Sequence, residues 1–398
     1  MIVISEKAKA IKTSPTLAVF SVAKKMMADG IDVINFGVGE PDFNTPEYIK
    51  EAAKKAIDEN FTRYTVGAGI PELRKAIIKK LKTDNNLDYG MDEIIVTPGA
   101  KAAIETLLTT ICNPGDQVII PTPYWVSYPA QVELANGESV YFETEMSENF
   151  KINPVRLEQL IKTLSKPRAI ILNSPSNPAG IVYSREELAE IAKVCIRHNI
   201  IIISDEIYEK LVYGNAEHYS IADTVPEVKN LTIVINGVSK AYAMTGWRLG
   251  YAAGPKEIIE NAVKIQSHTA SCINSITQKA TVAALSVDDG SLEKMRQAFE
   301  ERKKFMTSAL NKIDHLVCIE PQGAFYCFPS IDYYIQNNSQ GLKNDVELCT
   351  WLLEKKHIAV VPGSAFGVPQ CLRFSYANSM ENLVEGMKRF EEGLKELI

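Results

Sequence analysis

The chain has 398 residues, 46% hydrophobic and 23% charged, a balance that excludes a disordered chain and at this length predicts two domains. Lys+Arg 43 against Asp+Glu 49 leaves a net charge of −6, which argues against a general attraction to nucleic acid or to an anionic membrane surface. No apolar run reaches the ~18 residues of a spanning helix, and the opening MIVISEKAKAIKTS has no secretion-signal pattern, so a soluble, cytoplasmic protein is expected.

The first 46 residues carry little strand signal. Short apolar runs then follow at EIIVT (93–97), QVIIP (117–121), AIILN (169–173), IIIIS (200–204), LTIVI (231–235) and GYAAG (250–254). Because they do not alternate with polar residues, they predict strands covered on both faces, as in a parallel or mixed sheet. Amphipathic segments lie between them. Ile104, Leu107, Leu108 and Ile111 form one stripe in 101–111, and Leu188, Ile191, Ala192 and Cys195 form another in 185–197, behind a capping box of Ser184 and Glu187. Strand and helix in series predict an α/β core over 47–290. A long charged amphipathic helix at 291–311 opens a different region. GAFYCF, a helix around 344–356, HIAVVPG, QCLRFSYA and a last helix predict a smaller α+β unit, formed by 291–398 together with 1–46.

The seven cysteines (112, 195, 272, 318, 327, 349 and 371) form no C-x-x-C pair and are odd in number, which predicts reduced thiols. The five histidines match no metal-ligand spacing, and no metal is expected. Ligands of open α/β sheets collect at the carboxyl ends of strands. After EIIVT stands Pro98-Gly99-Ala100-Lys101, an anion-binding helix start or an ordinary turn. SPSNPAG with Asn177 follows AIILN. Asp205-Glu206-Ile207-Tyr208 follows IIIIS, where Asp205 is a helix cap or a buried carboxylate facing a protonated ring nitrogen. Lys240 and Arg248 follow LTIVI.

The segment SKAYAMTGWRLGY resembles the cofactor-lysine segment of the class I aminotransferases, enzymes of fold type I that use pyridoxal 5′-phosphate. INFGVGEPDFNTP (34–46), RYTVGAGIPELRKAI (63–77), IIVTPGAKAAI (94–104), PTPYWVSYP (121–129), NSPSNPAG (173–180), SDEIYE (204–209), VVPGSAFG (360–367) and LRFSYA (372–377) are similar to that family's other motifs, in its order and at its spacing. The resemblance runs from about residue 10 to the C-terminus and is strongest to the bacterial-type aspartate aminotransferases. It implies a large domain with a mostly parallel mixed sheet covered by helices, plus a smaller α+β domain.

The resemblance also implies roles. Lys240 carries the cofactor as a Schiff base and shuttles the substrate proton. Asp205 faces the pyridine nitrogen and keeps the ring an electron sink. Tyr208 and Asn177 bind the ring hydroxyl, and Trp125 stacks on the ring. Arg248 and the amides of Ala100 and Lys101 cradle the phosphate. Arg373 grips the substrate α-carboxylate with its planar fork, and the backbone at Gly39 approaches the same end of the substrate. Tyr64 is implied to reach the phosphate of a neighbouring subunit, which makes a homodimer with shared sites. One departure stands out: Gly237 occupies the place where, by the resemblance, many relatives have a phosphate-binding serine, so that either Ser239 compensates or the cradle has one donor fewer.

The implied activity is transfer of the α-amino group between aspartate or glutamate and oxaloacetate or 2-oxoglutarate. Aromatic or prephenate specificity and, further off, lyase chemistry on the same cofactor remain open, since no motif defines the side-chain pocket. A cofactor-binding regulatory protein is disfavoured because no DNA-binding domain is appended. A dehydrogenase is disfavoured because no G-x-G-x-x-G opens the first strand–helix unit.

Overall fold

The computed structural model describes residues 3–11 and 15–398, so parts of the opening segment and of the 1–46 assignment (residues 1, 2 and 12–14) lie outside the described residues. Among the described residues twelve short strands follow one another: β1 Ile34–Asn35, β2 Ile94–Thr97, β3 Gln117–Pro121, β4 Glu138–Phe142, β5 Pro167–Asn173, β6 Ile201–Asp205, β7 Thr232–Gly237, β8 Gly250–Ala253, β9 Tyr326–Cys327, β10 Ile358–Ala359, β11 Val361–Pro362 and β12 Leu372–Ser375. Seven of them form one sheet in the order β2-β8-β7-β6-β5-β3-β4. All neighbours from β4 to β7 run parallel, and β8 runs against both β7 and β2.

Alternate residues of these strands feed different helical layers, which is why the runs do not alternate with polar residues. Val118, Ile120, Ile171, Ile203 and Ile235 pack with the helix Ala100–Ile111 and with Ile259 and Ala262 of Lys256–Thr269. Ile119, Ile170, Leu172 and Ile202 pack on the opposite side with Leu157, Leu188 and Ile191. Farther along that sheet, Val96, Val234 and Tyr251 meet Ile49, Leu73 and Ile77. The capping box at Ser184 forms in full: its hydroxyl accepts from Glu187 N, and the Glu187 carboxylate accepts from Ser184 N at 2.7 Å.

β4 carries no signal in an apolar-run reading, because as an edge strand only its last residue, Phe142, is buried. The short strand β1 pairs in parallel with β10, Ile34 opposite Ile358. β11, β12 and β9 form a three-stranded antiparallel sheet. It lies beside an aromatic core of Phe36, Phe299, Phe325, Phe374 and Phe390, with the helices Ser291–Leu310 and Met380–Leu397. Ile207 and Tyr208, from the turn after β6, belong to this second core. The end of the large sheet and the second core therefore meet at that turn.

Candidate active site

Strand ends converge on a cavity of about 530 Å³. It is lined, among others, by Gly39, Ala100, Lys101, Trp125, Asn177, Asp205, Tyr208, Lys240, Arg248 and Arg373. These are all the site residues expected from the sequence except Tyr64, which is 90% exposed and outside this lining. The antiparallel β8 explains one pairing. Lys240 follows the end of β7 and Arg248 precedes the start of the antiparallel β8, so both sit at the same end of these two neighbouring strands.

The Lys240 amine donates to the carbonyl of Gly39. Burial pushes it down to about 8; the Glu40 carboxylate opposes the shift, while the Arg373 and Arg248 guanidiniums add to it. Asp205 is 4% exposed. Burial raises its carboxyl to about 6, against the opposing hydrogen bond from the Tyr128 hydroxyl at 2.7 Å. The Tyr208 hydroxyl lies 2.8 Å from that of Tyr326, and burial holds it well above its ordinary range.

The Arg373 guanidinium donates to Asn177 Oδ1 at 3.1 Å and to the carbonyl of Gly37 at 2.7 Å, and it lies 4.6 Å from the Tyr326 ring. Its Nε is buried with no hydrogen-bond partner among the described residues. A buried guanidinium with an unsatisfied donor, on a cavity wall, suits an incoming carboxylate.

At the other side, the helix Ala100–Ile111 starts from Gly99 with φ +89° and no side-chain cap, so its first amides and its dipole face the lining. Arg248 lies across this turn, donating to Thr245 O at 2.8 Å. A Cβ on Gly99 would come within 2.6 Å of the guanidinium, and one on Gly250 within 2.4 Å of Ala100 N. Both glycines are what allow the arginine and the helix start to sit side by side. Lys101 Nζ lies 4.8 Å from the Trp125 ring. This donor set, a cation beside a helix N-terminus with Ser239 also in the lining, could hold a phosphate.

Gly237 has a steric reason for not being serine. Its Cβ would meet Gly250 Cα and Leu249 O, each at 2.9 Å, and Ile207 Cδ1 at 3.3 Å. Residues that the sequence reading did not single out also line the cavity: Tyr128, Tyr326, Glu40 and Asn173. Tyr128 and Tyr326 stood inside segments already noted, PTPYWVSYP and GAFYCF, but nothing in spacing marks a buried phenol as a hydrogen-bond partner. Among the described residues, the grouping of His, Cys, Asp and Glu tight enough for a metal ion is Glu206, Glu209 and His218, beyond this lining.

A sequence model of the aminotransferase class I and II family matches residues 31–390. An aspartate aminotransferase of Geobacillus stearothermophilus is 48% identical over 392 residues, 98% of this chain and 99% of that one. An aspartate/prephenate aminotransferase of Nitrosomonas europaea is 45% identical over 97% of this chain and 98% of its own. Among solved structures, the aspartate aminotransferase from Rhizobium meliloti superposes with a TM-score of 0.96 at 40% identity, covering 100% of both chains.

Proposed function

The chain belongs to the aminotransferase class I and II family, and from that premise we propose that it exchanges the amino group of aspartate or glutamate with 2-oxoglutarate or oxaloacetate, using pyridoxal 5′-phosphate. The observation that carries this reading is the opposition of two cations in one cavity. Arg373 offers an unsatisfied donor to a carboxylate, and Lys240 offers an amine whose lowered basicity lets it act near neutral pH. The names of relatives 45–48% identical over nearly the whole chain support aspartate as donor.

When bound, the cofactor supplies an aldehyde for the lysine and a ring that accepts the electron pair left at the substrate α-carbon. The chain's own residues do the rest. Arg248, the amides of Ala100 and Lys101, and Ser239 bind the phosphate. Asp205, costly to ionise in its buried place, would face the ring nitrogen and hold a proton there. Tyr208 and Asn177 would hold the ring hydroxyl, and Trp125 would take a ring face. Arg373 orients the substrate through its α-carboxylate, and Gly39 leaves room beside it: a Cβ there would lie 3.1 Å from the Tyr326 hydroxyl. Lys240 Nζ takes the proton from the substrate α-carbon as general base.

We assign residues 47–290 to a large domain and 291–398 with the described part of 1–46 to a small one, on the strength of the β1–β10 pairing and of an aromatic core drawn mostly from 291–398. The exposed Tyr64 suits a homodimer in which it reaches the partner's phosphate. Seven free thiols suit a reducing cytoplasm.

Steady-state kcat/KM values test the reading, with aspartate, phenylalanine and tyrosine each paired with 2-oxoglutarate and prephenate, and glutamate paired with oxaloacetate and prephenate. Aspartate with 2-oxoglutarate should rank first, and Arg373→Ala should cost on the order of 100-fold or more, chiefly in KM. First rank for prephenate would favour the second reading, supported by the Nitrosomonas europaea relative. Release of carbon dioxide or ammonia without transfer would refute both.

A further inference from the structure

The turn after β6 presents functional groups on one side and a buried polar cluster on the other. Asp205, Ile207 and Tyr208 line the cavity. Glu206 and Glu209 do not, yet they are only 1% and 8% exposed. The Glu206 carboxylate accepts from Ser204 Oγ at 2.8 Å and from Ser220 Oγ at 2.6 Å, and lies 3.1 Å from His218 Nε2. Glu209 pairs with the Lys80 ammonium and accepts from Asn85 Nδ2 at 2.8 Å. Ligand atoms of Glu206, Glu209 and His218 all lie within 4.8 Å of one another.

Two acids and a histidine have the chemistry of a cation site. Here the ammonium of Lys80 already supplies the cation, so the cluster needs no metal. What it does hold is the turn. Glu206 N donates to Ile235 O of β7 at 2.9 Å, and Glu209 N donates to Glu206 O at 2.9 Å. Through its side chains the same short stretch is tied to the 218–220 segment and to the helix Pro71–Asn85. Apolar side chains of similar volume would stabilise such a place at least as well as buried charge does. Directional contacts instead set orientation, and the groups being oriented are Asp205 and Tyr208.

We propose that Glu206 and His218 are positioning residues, which aim Asp205 and Tyr208 at the ring of the cofactor from behind. This rests on the reading of the cavity as the pyridoxal 5′-phosphate site. Because Glu206 adjoins Asp205 and its charge raises that carboxyl, the pair also affects how firmly Asp205 holds a proton at the ring nitrogen.

The test uses the full chain with Glu206→Gln, His218→Ala, His218→Gln and Asp205→Ala. Three quantities are read: melting temperature, the dissociation constant of pyridoxal 5′-phosphate, and the pH midpoint of the bound cofactor's visible absorbance. Glu206→Gln and His218→Ala should fold, bind the cofactor about tenfold more weakly and shift the midpoint. His218→Gln, which keeps a donor towards Glu206, should recover most of the affinity. Should His218→Ala fail to fold, Ser220→Ala removes a single donor to Glu206 and should weaken cofactor binding in the same direction. Folded variants with unchanged affinity and midpoint, or a His218→Gln no better than His218→Ala, would overturn the proposal. An Asp205→Ala protein that still binds the cofactor normally would instead sink the underlying reading of the cavity.

Discussion

Asp205 illustrates what a single residue gives up for its site. Its carboxyl stands at about 6 in the folded chain against an ordinary 3.8. A carboxyl raised by folding is protonated more in the folded than in the unfolded state between those values. Stability therefore falls as pH rises from about 4 to 6, and the penalty, roughly 3 kcal/mol for a shift of this size, is fully present above 6. Asp205→Asn removes the charge and keeps the shape. The cofactor-free variant should melt higher than wild type at pH 7.5, lose that advantage near pH 4, and bind the cofactor much more weakly. Equal melting temperatures at both pH values would count against the buried-charge account. Lys240 pays in the opposite sense: at about 8 roughly a quarter of it is neutral at pH 7.5, against about one in a thousand for an ordinary lysine. Sequence motifs named the residues that the cavity gathers, because strand ends are where function collects. They were silent on Tyr128 and Tyr326, whose importance lies in hydrogen bonds at 2.7 and 2.8 Å to partners 77 and 118 residues away.

At the scale of elements, the central strands were readable because both of their faces are covered, whereas β4 was not because most of it is exposed. The place of Gly237 shows why a motif departure needs the neighbouring strand to be understood. β7 and β8 pair there, Gly237 opposite Gly250, with the helix start at Ala100 pressed against the second glycine. Placing here the serine that the family resemblance implies should not improve phosphate binding. Gly237→Ser forces atoms towards Gly250 Cα and Leu249 O, an overpacking that typically costs ~1–3 kcal/mol. The expected result is a melting temperature several degrees lower with no gain in cofactor affinity. A variant of unchanged stability that binds the cofactor more tightly would show that the two strands can part more readily than their packing implies.

At the scale of the whole molecule, the chain divides its labour between a sheet whose strand β7 leads into the turn with Lys240 and an aromatic core whose strand β12 carries Arg373. Their meeting at the turn after β6 was invisible in the sequence, because it depends on contacts between distant segments. Tyr64 is 90% exposed, and its proposed role in a homodimer can be tested at a still larger scale. Heterodimers of a Lys240→Ala subunit with a Tyr64→Ala subunit measure it. If Tyr64 acts across the interface, one site collects both defects and the other is wild type, so half of the sites recover normal affinity and turnover. If every site keeps one defect, or a monomer is active, the shared site is refuted.

The turn at 37–39 has a thermodynamic consequence. Through the carbonyls of Gly37 and Gly39 it serves as a stand-in ligand for both cations, Arg373 and Lys240. On the proposed function, a dicarboxylate arriving at Arg373 and an aldehyde arriving at Lys240 would each displace one end of the same short stretch. Freeing one end lowers the cost of freeing the other, so the two events should assist each other, and linkage requires the assistance to be equal in both directions. Maleate should bind more tightly to the cofactor-loaded protein than to the cofactor-free one. The cofactor should gain affinity from maleate by the same factor. A factor of one would mean that the two carbonyls let go independently, and that the backbone occupies its own binding site without making its tenants cooperate.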